Sequence, residues 1–361
     1  MRDGEDSDIL VLGGKLQATG GIETHIYQFC QQMALMGAKT ILVSTAVVAF
    51  PSEKKAKLRV GGVRVVEYEG SATPRGVLSY LMCLRFLWGQ RGRCRVLYTN
   101  GISRFALYSA KIVRPTIWVH HHHSDAQRAI FNTWSACYKR LLRSATFVIC
   151  CTASHREFLA DALNRRDSVL FLPYLKAEPA QFPGTFRPRS KMPVCLGFFG
   201  RLRKEKGVPV LLRIADWMGQ NQFECRLHGD DCETLVPASL PKSIRWGGPY
   251  DAQTDLDRLM SEIDIVVIPS VGAEGLPIVL SEAISRGVPV VAFDGGGLKD
   301  MKCFHKGVLI VKEGEENLKG ALLEMRDRLR DGSLSESLIH EYGNHLSNAK
   351  TLQWWASIIK R

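Results

Sequence analysis

The chain predicts an α/β protein of two doubly wound domains, and three observations carry that prediction. Short apolar runs suited to strands buried on both faces recur at 8–12, 194–199, 264–269 and 288–293, with segments of helical period between them. Each half opens on a strand, a glycine-bearing loop and a helix. A proline-dense stretch, 173–193, holds five of the 15 prolines and splits the 361 residues into two parts of ordinary domain size. The expected division is a first domain at 1–173, a linker at 174–193 and a second domain at 194–344. A last helix at 345–361 is expected to return to the first domain.

Residues 8–12 (DILVL) form the first strand, and 13–21 a loop. Ile22, Ile26, Phe29, Cys30 and Met33 follow helical spacing; Gly37 ends that helix and 40–44 is the next strand. Gly20 and Gly21 either bring backbone close to an anion at the helix N-terminus or simply make a turn. Further strands are expected at 63–68, 96–99, 116–119, 146–150 and 169–172, with a helix near 154–163. Strand 116–119 runs into His120, His121, His122 and His123. Successive residues on an extended chain point to opposite sides, so this run cannot close on one metal ion.

The second domain begins with 194–199 (VCLGFF), then a basic loop, 200–207 (GRLRKEKG), and a helix at 209–218. A strand, a basic glycine-bounded loop and a helix suit a diphosphate, with Arg201 as planar fork and Lys206 as point charge. The P-loop pattern is absent. Strands at 224–228 and 244–246 and a short helix at 256–260 lead to 264–293, which reads strand, loop, helix, strand. Pro277 suits the first helical position and Gly287 the end. Ligands of open α/β sheets bind beyond the carboxyl ends of the strands, where loop 270–276 lies. Glu282 interrupts an otherwise apolar helix. It either faces water or, if buried, needs a partner such as a hydroxyl-rich ligand. Loop 294–297 (DGGG) is assigned no role. Helices are expected at 318–329 and 346–359.

Residues 274–283 (EGLPIVLSEA) resemble the E-x7-E signature of retaining glycosyltransferase family 4, which has the GT-B fold. The match consists of Glu274, Gly275, Leu276, Pro277 and Glu282. The loop with Arg201 and Lys206 resembles that family's G-R…E-K-G diphosphate motif, and Gly20 and Gly21 its N-terminal glycine loop. The resemblance is strong in the second domain and loose in the first. It implies two facing Rossmann-like domains with a cleft between them. It further implies that Glu274 meets the donor sugar, that Gly275 and the backbone after it meet sugar and diphosphate, and that Glu282 holds the ribose. Tyr250 lies where the family receives the base, to stack on it or merely to pack. A histidine after the fifth strand approaches the reacting sugar; counting favours His121, with His120 and His122 within its margin on the acceptor side. No metal or other cofactor is expected.

Fifteen Lys/Arg against three acids lie between Arg75 and Arg166, an excess equal to the chain's net charge of +12. Segments 75–95 and 130–143 combine Arg or Lys with Trp, Leu and Phe. Each is either a core helix with a soluble rim or an interfacial helix on anionic lipid. No run of 18 uncharged apolar residues and no signal-peptide layout occurs. The scattered cysteines, without a C-x-x-C pair, suit a reducing cytoplasm.

The expected function is transfer of a hexosyl residue, with retention, from a UDP- or GDP-sugar to a hydroxyl of a saccharide, lipid-linked in cell-surface polysaccharide or glycolipid synthesis. The expected location is cytoplasmic, peripheral on the inner face of the membrane. The alternatives are a soluble small-molecule acceptor, a non-catalytic relative, or a basic nucleic-acid binder. The last lacks a recognised module, and no nucleic acid partner is expected.

Overall fold

The structure is a computed structural model that describes residues 6–14, 16, 20–44, 52–68, 74–102, 104–177, 179, 192–271, 275–304, 306–329 and 334–360. The chain divides into two compact units: of the described residues, 6–16, 22–175 and 349–360 make the first, and 20–21 with 176–348 the second. Most of the expected linker, 178 and 180–191, lies outside the described residues. Its first three residues, Tyr174, Leu175 and Lys176, are buried.

The first unit runs β1 (Ser7–Gly14), α1 (Gly21–Leu35), β2 (Thr40–Ser44), α2 (Ser52–Val60), β3 (Arg64–Glu67), α3 (Pro74–Gly89) and β4 (Cys94–Asn100). It continues α4 (Arg104–Val113), β5 (Ile117–His122), α5 (Arg128–Thr133), α6 (Ala136–Ser144), β6 (Phe147–Cys150), α7 (Ala153–Leu163) and β7 (Val169–Phe171). Its parallel sheet has the order β3-β2-β1-β4-β5-β6-β7, so the strand order reverses beside β1. Apolar side chains fill both sheet faces. Phe29, Met33 and Leu58 of α1 and α2 pack on one, and Leu87, Leu107, Leu141 and Leu159 of α3, α4, α6 and α7 on the other.

The second unit contains β8 (Val194–Phe199), a 3-10 turn (Lys204–Lys206), α8 (Val208–Arg213), α9 (Ala215–Gln220), β9 (Phe223–His228), β10 (Ile244–Gly248) and α10 (Leu256–Met260). Then come β11 (Ile265–Ile268), α11 (Ile278–Ser285), β12 (Val290–Phe293), a 3-10 segment (Gly296–Phe304), β13 (Val308–Val311), α12 (Glu315–Arg328) and α13 (Leu334–His345). The parallel sheet order is β10-β9-β8-β11-β12-β13, reversing between β8 and β11. Helix α14 (Asn348–Lys360) rejoins the first unit, where Trp355 sits 4.7 Å from the Phe29 ring.

Four local expectations change. The helix at 209–218 is two helices, broken at Ile214. Pro277 is the cap before α11, extended at φ −61° and ψ 125°, and the helix starts one residue later. Part of the 294–297 loop opens a 3-10 segment at Gly296. The two basic apolar segments also part company. In 130–143, Trp134, Tyr138, Leu141 and Leu142 are core, whereas α3 exposes Val77, Leu78, Tyr80, Leu81, Met82 and Trp88.

Candidate functional site

In the second unit, the loops after β8 and β11 leave neighbouring strands at the reversal of strand order, where open α/β sheets hold ligands. They are pressed together: the Val271 N–H donates to the Glu205 carbonyl at 2.9 Å. Gly207 has φ +80°, and a Cβ there would stand 1.9 Å from the Pro269 carbonyl oxygen. Only glycine fits, so the end of the basic loop is fixed against the start of the other. Arg201 is half-buried just after β8, and Lys206, also half-buried, ends the 3-10 turn. Arg203 is turned to Glu205 at 3.3 Å. Glu274 lies outside the described residues. Beyond it, the Gly275 carbonyl accepts from the Gly297 N–H at 3.1 Å, Leu276 is buried, and Pro277 caps α11.

Glu282 is buried, 1% exposed, in the middle of α11. Its Oε1 has no hydrogen-bond partner among the described residues. Arg286, one turn on, is committed elsewhere: its guanidinium donates to the Glu282 main-chain carbonyl at 3.1 Å and to Asp257. Burial pushes the Glu282 carboxyl up to about 7, against the pull of Arg286 and Lys176. A buried carboxylate with a spare lone-pair site is an acceptor waiting for hydroxyl donors. Tyr250 is half-buried, its ring edge-on to Phe199 at 5.6 Å, and Glu282 adds to the burial that pushes its phenol up. His228 stacks on Phe199 at 5.0 Å.

Phe199, His228 and Lys176 join this group without belonging to any of the sequence motifs. The Lys176 ammonium is buried, donates to the Leu346 carbonyl at 2.6 Å and lies 4.7 Å over the Tyr342 ring. A lysine inside the apolar run Tyr174-Leu175-Lys176 was the available signal.

The glycine loop is described only in part: Gly20, at φ +150°, and Gly21, which begins α1, are grouped with the second unit. All four histidines at the end of β5 are buried, and they alternate as an extended chain requires. His120 and His122 turn to one side, where both reach the Tyr138 hydroxyl, at 3.2 and 2.7 Å. His121 and His123 turn to the other side and stack on each other at 4.2 Å. Burial, with the neighbouring imidazoles, lowers His120 to about 3 and His122 to about 4, and holds His121 and His123 well below the usual value. All four are therefore neutral at pH 7. Among the described residues, no group of three or more His, Cys, Asp or Glu is placed to hold a metal ion.

The turn after this run is tied down. The Asp125 carboxylate meets His155 Nε2 at 2.9 Å, both side chains being at most 3% exposed. His155 lies in the first turn of α7, its N–H bonded to the capping Thr152 hydroxyl. Against burial, Asp125 and Cys151 raise His155 from 6.5 to about 9. A raised pKa means the pair's stabilisation is complete below about pH 6.5 and fades as pH rises toward about 9. Asp125→Asn removes the countercharge of the buried imidazolium and is expected to cost about 3–5 kcal/mol, read as a lower chemical-denaturation midpoint at pH 6. An unchanged midpoint would contradict the pairing.

Two parallel α/β domains with ligand loops at the reversal of strand order define the GT-B class of glycosyltransferase fold. Both halves of the chain are glycosyltransferase domains: residues 19–170 match the family described as Glycosyltransferase Family 4, and residues 193–327 match Glycosyl transferases group 1. The amylovoran biosynthesis glycosyltransferase AmsK of Erwinia amylovora is 26% identical over 159 residues, 40% of this chain and 39% of that protein. The alignment thus spans well under half the length of that curated relative. Among solved structures, Anabaena HepE in complex with UDP-glucose is 17% identical with a TM-score of 0.69, covering 98% of this chain and 99% of HepE. Sucrose-phosphate synthase from Thermosynechococcus elongatus is 16% identical with a TM-score of 0.73, covering 98% of each chain.

Proposed function

We propose that the chain transfers a hexosyl residue, with retained configuration, from a UDP- or GDP-sugar to a hydroxyl of a saccharide acceptor. The observation that carries the reading is Glu282: a buried carboxylate with an unsatisfied oxygen, in the helix that follows the strand beside the basic loop. Ribose hydroxyls would complete its hydrogen bonding. Arg201 and Lys206 would take the charge that appears on the diphosphate as the sugar–phosphate bond breaks, without a metal. Glu274 would face the sugar as it becomes oxocarbenium-like. The structural relative bound to UDP-glucose favours a uridine donor. The test is nucleotide release from UDP-, GDP- and ADP-sugars with a panel of saccharide acceptors, and proton NMR of the product anomer. A product of inverted configuration would overturn retention; no release from any donor would overturn the reading.

The Glu282 carboxyl gives this site a pH dependence. Hydroxyl donors bond more strongly to the ionised carboxylate, and burial raises this carboxyl to about 7. Affinity for UDP-glucose, which has no titrating terminal phosphate, is expected to rise from pH 6 to pH 8, by at most roughly tenfold. Glu282→Gln should flatten that rise. Calorimetry showing the same rise in the variant would assign it to another group.

The acceptor is proposed to be lipid-linked and reached from an anionic membrane. Of 13 large apolar side chains exposed in the described residues, eight lie between Val77 and Tyr108, on α3, on α4 and at Ile102. Tyr80 of α3 and Phe105 of α4 are in ring contact at 5.7 Å, which joins the two helices into one patch. The sequence from 70 to 124 has eight Lys/Arg and no Asp or Glu. Apolar side chains ringed by cations fit an anionic bilayer interface, each cation contributing about 1 kcal/mol. No described helix is long and apolar enough to cross a membrane. Flotation with anionic vesicles at low salt should carry the protein upward. Salt, Arg85→Glu with Arg91→Glu, and Leu78→Ser with Leu81→Ser should each reduce it. Protein that stays at the bottom of the gradient points to a soluble acceptor.

A further inference from the structure

His228 is a buried polar side chain that none of the proposed donor contacts uses. It is the last residue of β9 and pairs in register with Phe199, the last residue of β8. Both therefore stand at the carboxyl edge of the sheet, where open α/β sheets hold ligands. Their rings stack 21° from parallel with centroids 5.0 Å apart. Tyr250, two residues beyond β10, stands edge-on to both, 5.6 Å from the Phe199 ring and 6.4 Å from the His228 ring. The Nδ1–Cε1 edge of the imidazole lies against Gly247: a Cβ there would stand 2.6 Å from Nδ1 and 2.5 Å from Cε1. A residue larger than glycine would push the ring out of this position. Main-chain bonds hold the three strand ends together. The Gly200 N–H donates to the His228 carbonyl at 2.9 Å, and the Gly229 N–H to the Gly248 carbonyl at 2.8 Å. The imidazole is thus fixed on three sides, 6% exposed, and its Nε2 has no hydrogen-bond partner among the described residues. A buried ring nitrogen left without a partner is costly, so a ligand group or a trapped water is expected to complete it.

We infer that His228 is a specificity-determining residue of the donor site, its Nε2 hydrogen-bonding the edge of the nucleobase while Phe199 and Gly247 hold the ring in place. The inference rests on the proposed reading of the second unit as a nucleotide-sugar site. In that reading the diphosphate lies on the loop after β8 and the ribose at Glu282. Glu282 in turn acts on the Tyr250 phenol, so the carboxylate and the aromatic group adjoin. The ends of β9 and β10 are the neighbouring part of the same sheet edge, and they are left for the base. Burial, then the Arg226 charge, lowers His228 below its usual pKa, so the ring is neutral at pH 8. A neutral imidazole nitrogen makes one directional hydrogen bond, to a carbonyl oxygen or from a ring N–H. Ribose and diphosphate are common to all nucleotide donors, so only a contact to the base edge tells one donor from another.

The test is calorimetry of the full chain at pH 8 with UDP, GDP, ADP and the base-less probe ribose 5-diphosphate. The wild type is expected to hold one nucleotide roughly tenfold or more tighter than the other two and than the probe. His228→Leu removes the ring nitrogen, and Gly247→Ala presses on the ring without touching its chemistry. Each should bring the three nucleotides to within roughly threefold of one another. Affinity for ribose 5-diphosphate should stay at the wild-type value, which also reports that the site is still folded. Variants that bind the probe like the wild type and keep its preference among nucleotides overturn the inference; Nε2 then meets only a trapped water. Equal affinity of the wild type for all three nucleotides overturns it without any variant having to fold. The reading of the site fails separately: the wild type would then bind neither the nucleotides nor the probe.

Discussion

Arg201→Ala and Lys206→Ala are each expected to lower nucleotide release by about 10²–10³-fold, the scale set by removing one preorganised donor from developing charge. The reason is local. The loop holding both is clamped at Gly207 against Pro269 and at Glu205 against Val271, so the cations are held in place before the ligand arrives. An alanine at either position leaves that clamp untouched, because the clamp is made of main chain. Binding of free UDP should weaken in parallel. A variant that melts like the wild type and binds and turns over UDP-glucose as well as it does would remove the residue from the site.

Glu274→Gln is expected to lose roughly 10³-fold or more in turnover, with a smaller effect on donor affinity, because its charge matters most when the sugar is cationic. The contrast with Glu282 is diagnostic. Glu282→Gln should act chiefly on affinity, through the loss of an acceptor for hydroxyls. Steady-state kinetics of the two variants separate the roles. Equal losses in kcat with unchanged KM for both would contradict the division of labour between the two carboxylates.

How far these residues could be read from sequence follows from how local each signal is. Glu282 was legible because a carboxylate within an apolar helix conflicts with its neighbours, although its burial came only from the structure. The alternation of His120–His123 was legible because a strand's period of two is a property of the backbone alone. The contacts around those histidines were not. The Tyr138 hydroxyl that His120 and His122 share comes from α6, and the Asp125 partner, His155, lies 30 positions further on. Lys176 sat in a stretch whose prolines suggested an exposed linker. Its burial depends on Leu346, 170 residues away. Segments 75–95 and 130–143 show the same limit: both combine cations with large apolar side chains, but the second buries Trp134, Tyr138, Leu141 and Leu142, whereas α3 buries Cys83, Phe86 and Leu87 and leaves Val77, Leu78, Leu81, Met82 and Trp88 exposed.

The second unit is proposed to hold a nucleotide-sugar through Arg201, Lys206 and Glu282. Calorimetric titration of the full chain at pH 8 with UDP-glucose, GDP-mannose and ADP-glucose tests it most directly. Saturable binding of at least one of them is expected, weakened in Arg201→Ala, in Lys206→Ala and in Glu282→Ala. Absence of binding by all three, or binding that the three variants leave unchanged, would contradict it.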